Sequence, residues 1–190
     1  MRNGVDTLLS TSNIPKGAIR LIRVNLGTNN TIVVDSVSYA LNIPANAPDY
    51  ILLQLKGNEF QHTSSNTSKL WLDFNVARSI AYINGAYYLE PVLQPFIPSQ
   101  TGTIAGVIAP QAAFPELVTV LNGTDTAGLA LPNPGGQFQV RGLQNGTYSV
   151  TIHSIGKDST GFANFKDTTI SNVVIQNANM VNLGIIQLHQ

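Results

Sequence analysis

The sequence predicts an all-β fold of two small β-sandwich domains in tandem, and three observations carry the prediction. Short runs of alternating apolar and polar residues, rich in Val, Ile, Thr and aromatics, recur between turn residues along the whole chain. No stretch sustains the i, i+3, i+4, i+7 apolar stripe of an amphipathic helix. Pro91, Pro95 and Pro98 then lead into Ser99-Gln100-Thr101-Gly102. Proline cannot donate to a sheet ladder, so this cluster reads as a linker, with a boundary near residue 99 and domains over 1–98 and 99–190.

In the first half, Ile19 to Leu26 follows the turn Ile14-Pro15-Lys16-Gly17, and Thr31 to Val37 follows Gly27-Thr28-Asn29-Asn30. Tyr50 to Lys56 precedes Gly57-Asn58. From Leu70 to Val76 the alternation puts Leu70, Leu72, Phe74 and Val76 on one face and Trp71, Asp73 and Asn75 on the other. Ser79 to Ile83 and Ala86 to Val92 flank Asn84-Gly85, the strongest short hairpin signal. Single turns of helix are read at Val5 to Ser10 and at Val76 to Ile80.

The second half opens with a strand from Thr103 to Ile108 that carries Gly106. Leu117 to Leu121 ends at Asn122-Gly123. Phe138 and Val140 share a face, as do Tyr148, Val150 and Ile152 after Asn145-Gly146. Thr168 to Ile175 and Met180 to Leu188 close the chain. About seven short strands at this spacing make a small sandwich.

Composition narrows the function. Apolar residues are 43% of the 190, enough for a core, while charged residues are only 11% and the net charge is +0; average usage is about 25% charged. The ten Lys and Arg are scattered, so no basic patch marks a nucleic-acid partner. Without cysteine there is no disulfide, thiolate metal site or Cys nucleophile. No apolar run approaches the ~20 residues of a membrane helix. Met1 to Asp6 has no apolar h-region, so no signal peptide is read there.

Two resemblances follow from particular segments. Gly106, then Gly136-Gln137-Phe138, then Gly142-Leu143-Gln144-Asn145-Gly146-Thr147-Tyr148 resemble the carboxypeptidase regulatory-like family over about 101–190. That resemblance implies a transthyretin-like sandwich of the carbohydrate-binding-like class, with Phe138 and Tyr148 anchoring the core. The first half is similar to the exported-protein family called domain of unknown function 4382, over about 2–92. The likeness rests on Ile14-Pro15-Lys16-Gly17-Ala18-Ile19-Arg20-Leu21-Ile22-Arg23, on Gly27 to Asp35, on Leu72 to Ile80 and on Tyr88-Leu89-Glu90-Pro91-Val92. It implies an all-β domain, exported and often lipid-anchored. Members usually carry further strands before the segment matching Asn3-Gly4-Val5-Asp6. Their absence here implies an open sheet edge, covered by the second domain or by a partner chain, or left for self-association.

Candidate chemistry is sparse. His62, His153 and His189 share no metal-ligand spacing with each other or with an acid, and read as surface residues. The ten acids sit mostly in turns or on polar strand faces, with no pattern favouring a glycosidase pair. Asn122-Gly123-Thr124-Asp125 is too sparse for a calcium loop. There is no Gly-x-Ser-x-Gly, and Gly135-Gly136 precedes a strand without a Lys, so neither a nucleophile elbow nor a phosphate loop is present. The strand Thr103 to Ile108 lacks the Lys that a Lys–Asn isopeptide cross-link needs. Four Asn-x-Ser/Thr patterns, at Asn29, Asn66, Asn122 and Asn145, read as chance matches in an Asn- and Thr-rich chain. No catalytic residue, cofactor or metal ligand is assigned.

Aromatics supply the binding candidates: Trp71, Tyr82, Tyr87 and Tyr88. Exposed rings stack on sugars or on partner proteins. The plainer reading of Trp71 is that a loop or the other domain covers it. The sequence therefore points to a non-catalytic, exported or envelope module for adhesion, scaffolding or glycan binding, the last by fold analogy. Its partners would be a glycan or another surface protein. The alternative is the accessory part of a larger enzyme or an unusual hydrolase, which needs a cleft holding two facing acids.

Overall fold

The structure is a computed structural model and describes residues 6–13, 17–55, 60–62, 69–156 and 165–190, with 61 and 62 as backbone. It is all-β apart from one α turn and one 3-10 turn among these residues. The chain divides into two compact units, Ser12–Pro95 and Phe96–Gln190, the second joined by the described part of Met1–Thr11. Residues 6–13 carry no helix. Asp6 in that segment pairs with Arg141 at 2.7 Å, within the second unit.

The Ser12–Pro95 unit is built of short strands in small sheets. β1 (Gly17–Ala18) pairs with Gln61–His62, and β2 (Leu21–Asn25) with Tyr50–Gln54. β3 (Thr31–Val34) and β4 (Val37–Asn42) form a hairpin with Val34 opposite Val37. β5 spans Tyr50–Gln54, β6 Gln61–His62 and β7 Trp71–Phe74. The helical turn α1 (Val76–Ser79) leads into β8 (Ile80–Ile83), then β9 (Ala86–Leu89) and β10 (Leu93–Phe96). The largest sheet has the order β3-β4-β9-β8, with β4 and β9 parallel, and β7 pairs with β10.

Two readings are corrected here. The run Thr31 to Val37 is two strands, because Asp35 and Ser36 turn the chain with φ of +49° and +66°. Two successive positive φ values give a mirror-image turn whose twist suits a hairpin. The proline segment is no open linker, because Pro95 lies inside β10. Among the described residues β10 pairs with β7 alone, so it stands at a sheet edge, where a missing N–H is tolerated.

Burial in this unit is thin. Leu53, Leu55, Phe60 and Leu89 are its fully buried apolar residues among those described. Ser79 is buried too and is fully used: it donates to the Asn75 carbonyl and accepts from the Val92 amide at 2.9 Å. Asn75 caps α1, its side chain accepting from the Arg78 amide. This small polar knot holds the segment after β9 against α1.

The second unit is a two-sheet sandwich of seven strands among the described residues. β11 (Gly102–Ala109), β12 (Glu116–Asn122), β13 (Asp125–Ala130) and β14 (Gln137–Leu143) come first, then β15 (Gly146–Ser154), β16 (Thr168–Ile175) and β17 (Met180–Gln187). One sheet has the order β14-β11-β17 and the other β13-β12-β15-β16. Period-2 alternation turns Ile104, Val118, Val120, Phe138, Val140, Tyr148, Val150, Ile152 and Ile175 inward, each 4% exposed or less. The Tyr148 hydroxyl satisfies itself on the Gln144 carbonyl at 2.7 Å, so its ring fills the core without an orphan polar atom. The strand β13 was not read from sequence: Asn122-Gly123 ends one strand and also opens its hairpin partner.

Candidate functional site

The sheet β3-β4-β9-β8 gathers tyrosines. Tyr82 on β8 and Tyr87 on β9 are direct cross-strand partners. Leu41 on β4 registers with Tyr87, and Tyr39 lies two residues back on the same face. The Tyr82 and Tyr87 ring centroids are 4.7 Å apart at 44°, and those of Tyr39 and Tyr87 are 5.3 Å apart at 55°. These tilted geometries set positive ring edges against negative faces. Tyr82 is 65% exposed and Tyr39 43%, with Tyr87 half-buried between them.

Burial pushes the Tyr87 phenol up, and the neighbouring Tyr39, Tyr82 and Asp35 push it further, because each would place a second negative charge beside a phenolate. Burial alone raises Tyr148. Tyrosinate absorbance during alkaline titration is therefore expected to show these two ionising last, and Tyr39→Phe to bring Tyr87 earlier. For a raised acid the sign is fixed: its stabilisation is whole below the ordinary phenol value of about 10 and is lost as pH rises through the folded value. An unchanged titration in Tyr39→Phe would refute the coupling.

The structure thus joins Tyr82 and Tyr87 and adds Tyr39, which the sequence reading missed. Trp71 is set apart in the β7–β10 sheet and is half-buried, like every residue of β7. Tyr88 follows Tyr87 and so faces the other side of the sheet, where it registers with Asn42. Tyr50, in the β2–β5 pair, carries the Arg23 guanidinium over its ring at 4.1 Å.

An open cleft of about 540 Å³ lies at one end of the β3–β4 hairpin. Ten residues between Thr28 and Ile43 line it, and none is charged. Asn30 donates to the Gly27 carbonyl at 2.7 Å, and Asn42 to the Tyr87 carbonyl at 3.1 Å. The cleft holds no Asp or Glu, so a two-carboxylate hydrolysis has no footing in it.

The ionisable residues elsewhere read as structure. His153, on an exposed face of β15, meets Asp167 at 2.6 Å. Exposed pairs of this kind contribute about 0–1 kcal/mol. His189 is tied by its carbonyl to the Lys166 amide at 2.7 Å. The His62 side chain, Asn66 and Lys157 lie outside the described residues. One acid departs from the expected polar faces: Glu116, on β12, points inward with Val118 and Val120 and is 1% exposed. Neither of its carboxyl oxygens has a hydrogen-bond partner. Among the described residues no three His, Asp or Glu come together as a metal site, and no helix is long and apolar enough to cross a membrane.

Residues 1–91 match the family model described as a domain of unknown function, DUF4382. No curated protein matches the chain. Among solved structures, a chain of the type II cohesin–X-dockerin complex from Acetivibrio cellulolyticus is similar at 23% identity and a TM-score of 0.34. The likeness covers 46% of this chain and 56% of that one, so little more than half of that relative's length is represented. The minor pilin of Streptococcus agalactiae is similar at 10% identity and a TM-score of 0.26, over 90% of this chain and 95% of the pilin.

Proposed function

We propose that this chain, whose first half matches a domain of unknown function, is a non-catalytic β module of the cell envelope or exterior that works in adhesion or scaffolding. The observation that carries the reading is the row Tyr39, Tyr87 and Tyr82, with exposed rings at both ends of the row. Tyrosines bury large areas at low entropy cost and are over-represented where proteins meet partners. Export is supported by the low charge and by the family resemblance of the first half. The second unit fits a carboxypeptidase regulatory-like, transthyretin-like sandwich, for which its seven strands in two sheets are the support. β3 is an outer strand with Val33 66% exposed, and it is where self-association through a sheet edge would occur.

Retention of the fluorescently labelled chain on intact bacterial cells tests the reading. The wild type is expected to be retained, and Tyr39→Ala combined with Tyr82→Ala to lose most of that retention while staying folded. No retention of the wild type, or equal retention of the variant, overturns the tyrosine face as the contact surface.

A further inference from the structure

We propose that the uncharged cleft at the β3–β4 end, whose lining includes Tyr39, binds a neutral glycan. The inference deepens the reading of the chain as a surface-binding module and rests on it for where such a ligand is met. Its own footing is the chemistry of the cleft.

Ser38, Ala40 and Asn42 alternate with Tyr39 and Leu41 along β4, so the two sets take opposite faces, and the cleft at the hairpin end is lined by residues of both. Thr31 pairs with Ala40 and shares its face. Asn, Ser and Thr side chains, together with Tyr39, Ala40, Leu41 and Ile43, line a space whose volume lies within the usual ~300–1,000 Å³ of ligand sites. Two of the amides are already oriented. Asn30 and Asn42 each spend an N–H on a main-chain carbonyl, which fixes the rest of the group before any ligand arrives. An amide held in this way offers a carbonyl oxygen to a sugar hydroxyl without further ordering cost. Tyr88 occupies the register position beside Asn42 and shares its face, placing an aromatic next to the polar cleft.

The cleft's neutrality selects the ligand. A sulfated, sialylated or phosphorylated ligand would enter a site with no cation to receive it, and a basic peptide one with no carboxylate. A neutral sugar carries hydroxyls that both donate and accept, matching Asn, Ser and Thr group for group. The cleft is open, which admits a chain end or an internal stretch of a longer polymer.

An array of neutral oligosaccharides beside their sialylated and sulfated counterparts, probed with the full chain, tests the proposal. The wild type is expected to retain neutral glycans and to ignore the charged ones. Ser38→Tyr fills the cleft from an exposed position, and Asn42→Ala removes one oriented amide. Each is expected to lower the apparent affinity by about tenfold or more, the effect of losing one or more hydrogen bonds. Leu52→Ala, at an exposed position on β5 in a different sheet, is expected to leave it unchanged. Retention of charged glycans alone, binding indifferent to both cleft variants, or no glycan bound by folded wild type overturns the proposal. Cell retention that still falls in Tyr82→Ala, whose residue does not line the cleft, would then leave the surface-module reading standing. Glycan binding without tyrosine-dependent cell retention would do the reverse.

Discussion

Gly136→Ala is expected to unfold the second unit or to lower its melting temperature by roughly 15 °C or more, the equivalent of about 4 kcal/mol for a domain of this size. Gly136 sits at the tight turn into β14, with φ at +75°. Its amide donates to the Asn133 carbonyl at 2.8 Å, and its carbonyl accepts from the Ile108 amide at 2.9 Å. A Cβ there would lie 2.1 Å from the Ile108 carbonyl oxygen, and that atom belongs to the backbone. A flexible side chain could move aside, but Ile108 cannot. It lies on β11, the central strand of its sheet, registers with Ile186 on β17, and is 2% exposed. Moving Ile108 strains the ladders on both sides of β11 and opens the core. Gly123→Ala separates this clash from backbone strain alone. Gly123 also has a positive φ, +61°, yet nothing lies within 4 Å of an added Cβ. It should cost only the left-handed penalty of about 1–2 kcal/mol. Calorimetry of both variants checks the pair, and equal losses would sink the argument from close approach.

The parts of the fold that were legible in sequence are those where local chemistry and tertiary context agree. Asn84-Gly85 marks its hairpin, and the alternation through Phe138, Val140, Tyr148, Val150 and Ile152 gives the inner faces of β14 and β15. The misses share a cause, which is that tertiary pairing overrode the local signal. Asp35-Ser36 contains neither Gly nor Asn, so the turn that creates β4 was invisible, and Tyr39 and the cleft disappeared with it. β13 reads Asp125-Thr126-Ala127-Gly128-Leu129-Ala130, too small and flexible in composition to announce a strand. It exists because β12 offers a partner already packed on the core. β10 keeps its place despite Pro95 because an edge strand bonds on one side only. The leading segment's attachment to the second unit could not be read locally, since Asp6 and Arg141 stand 135 positions apart.

Of the aromatic candidates, the structure joins only the pair that a hairpin signal had already placed opposite each other. Tyr82 and Tyr87 follow from Asn84-Gly85 and the pleat; Tyr88 flanks the same turn but alternates to the other face, and Trp71, placed by the alternation of its own strand, lies in a different sheet. A strand's register fixes which side chains can act together, so candidates read strand by strand scatter over different sheets and faces.

Glu116→Met is expected to stabilise the second unit by about 2 kcal/mol at neutral pH, because an unpartnered polar group buried in a core costs about 1–3 kcal/mol. Methionine keeps a similar length and flexibility without the carboxyl. The alternation of β12 already put Glu116 in phase with Val118 and Val120, and only the rarity of buried acids argued for a polar face. Across the ladder stands Ser154, whose hydroxyl is committed to the Ala113 carbonyl at 3.2 Å, so it does not serve the carboxyl. Burial accordingly pushes the Glu116 carboxyl up from its ordinary 4.5, against a smaller opposing pull from its own backbone amide. The consequence for stability has a definite sign. Below 4.5 both folded and unfolded chains hold the proton, and stability is full. As pH rises from there towards the raised folded value, the unfolded chain releases the proton first and stability falls by up to about 1.4 kcal/mol per pH unit. Glu116→Gln should remove that slope while gaining less than Glu116→Met, since an amide in the same place is still unpaired. Urea denaturation across the acid to neutral range measures both effects. Stability that instead increases with pH in the wild type and not in Glu116→Gln would mean the carboxylate is paired in the folded protein. The same geometry bears on catalysis. An acid or base must reach the atom whose proton it moves, and at 1% exposure Glu116 meets only the sandwich core. The raised Glu116 carboxyl is thus a cost carried by the scaffold of the second unit.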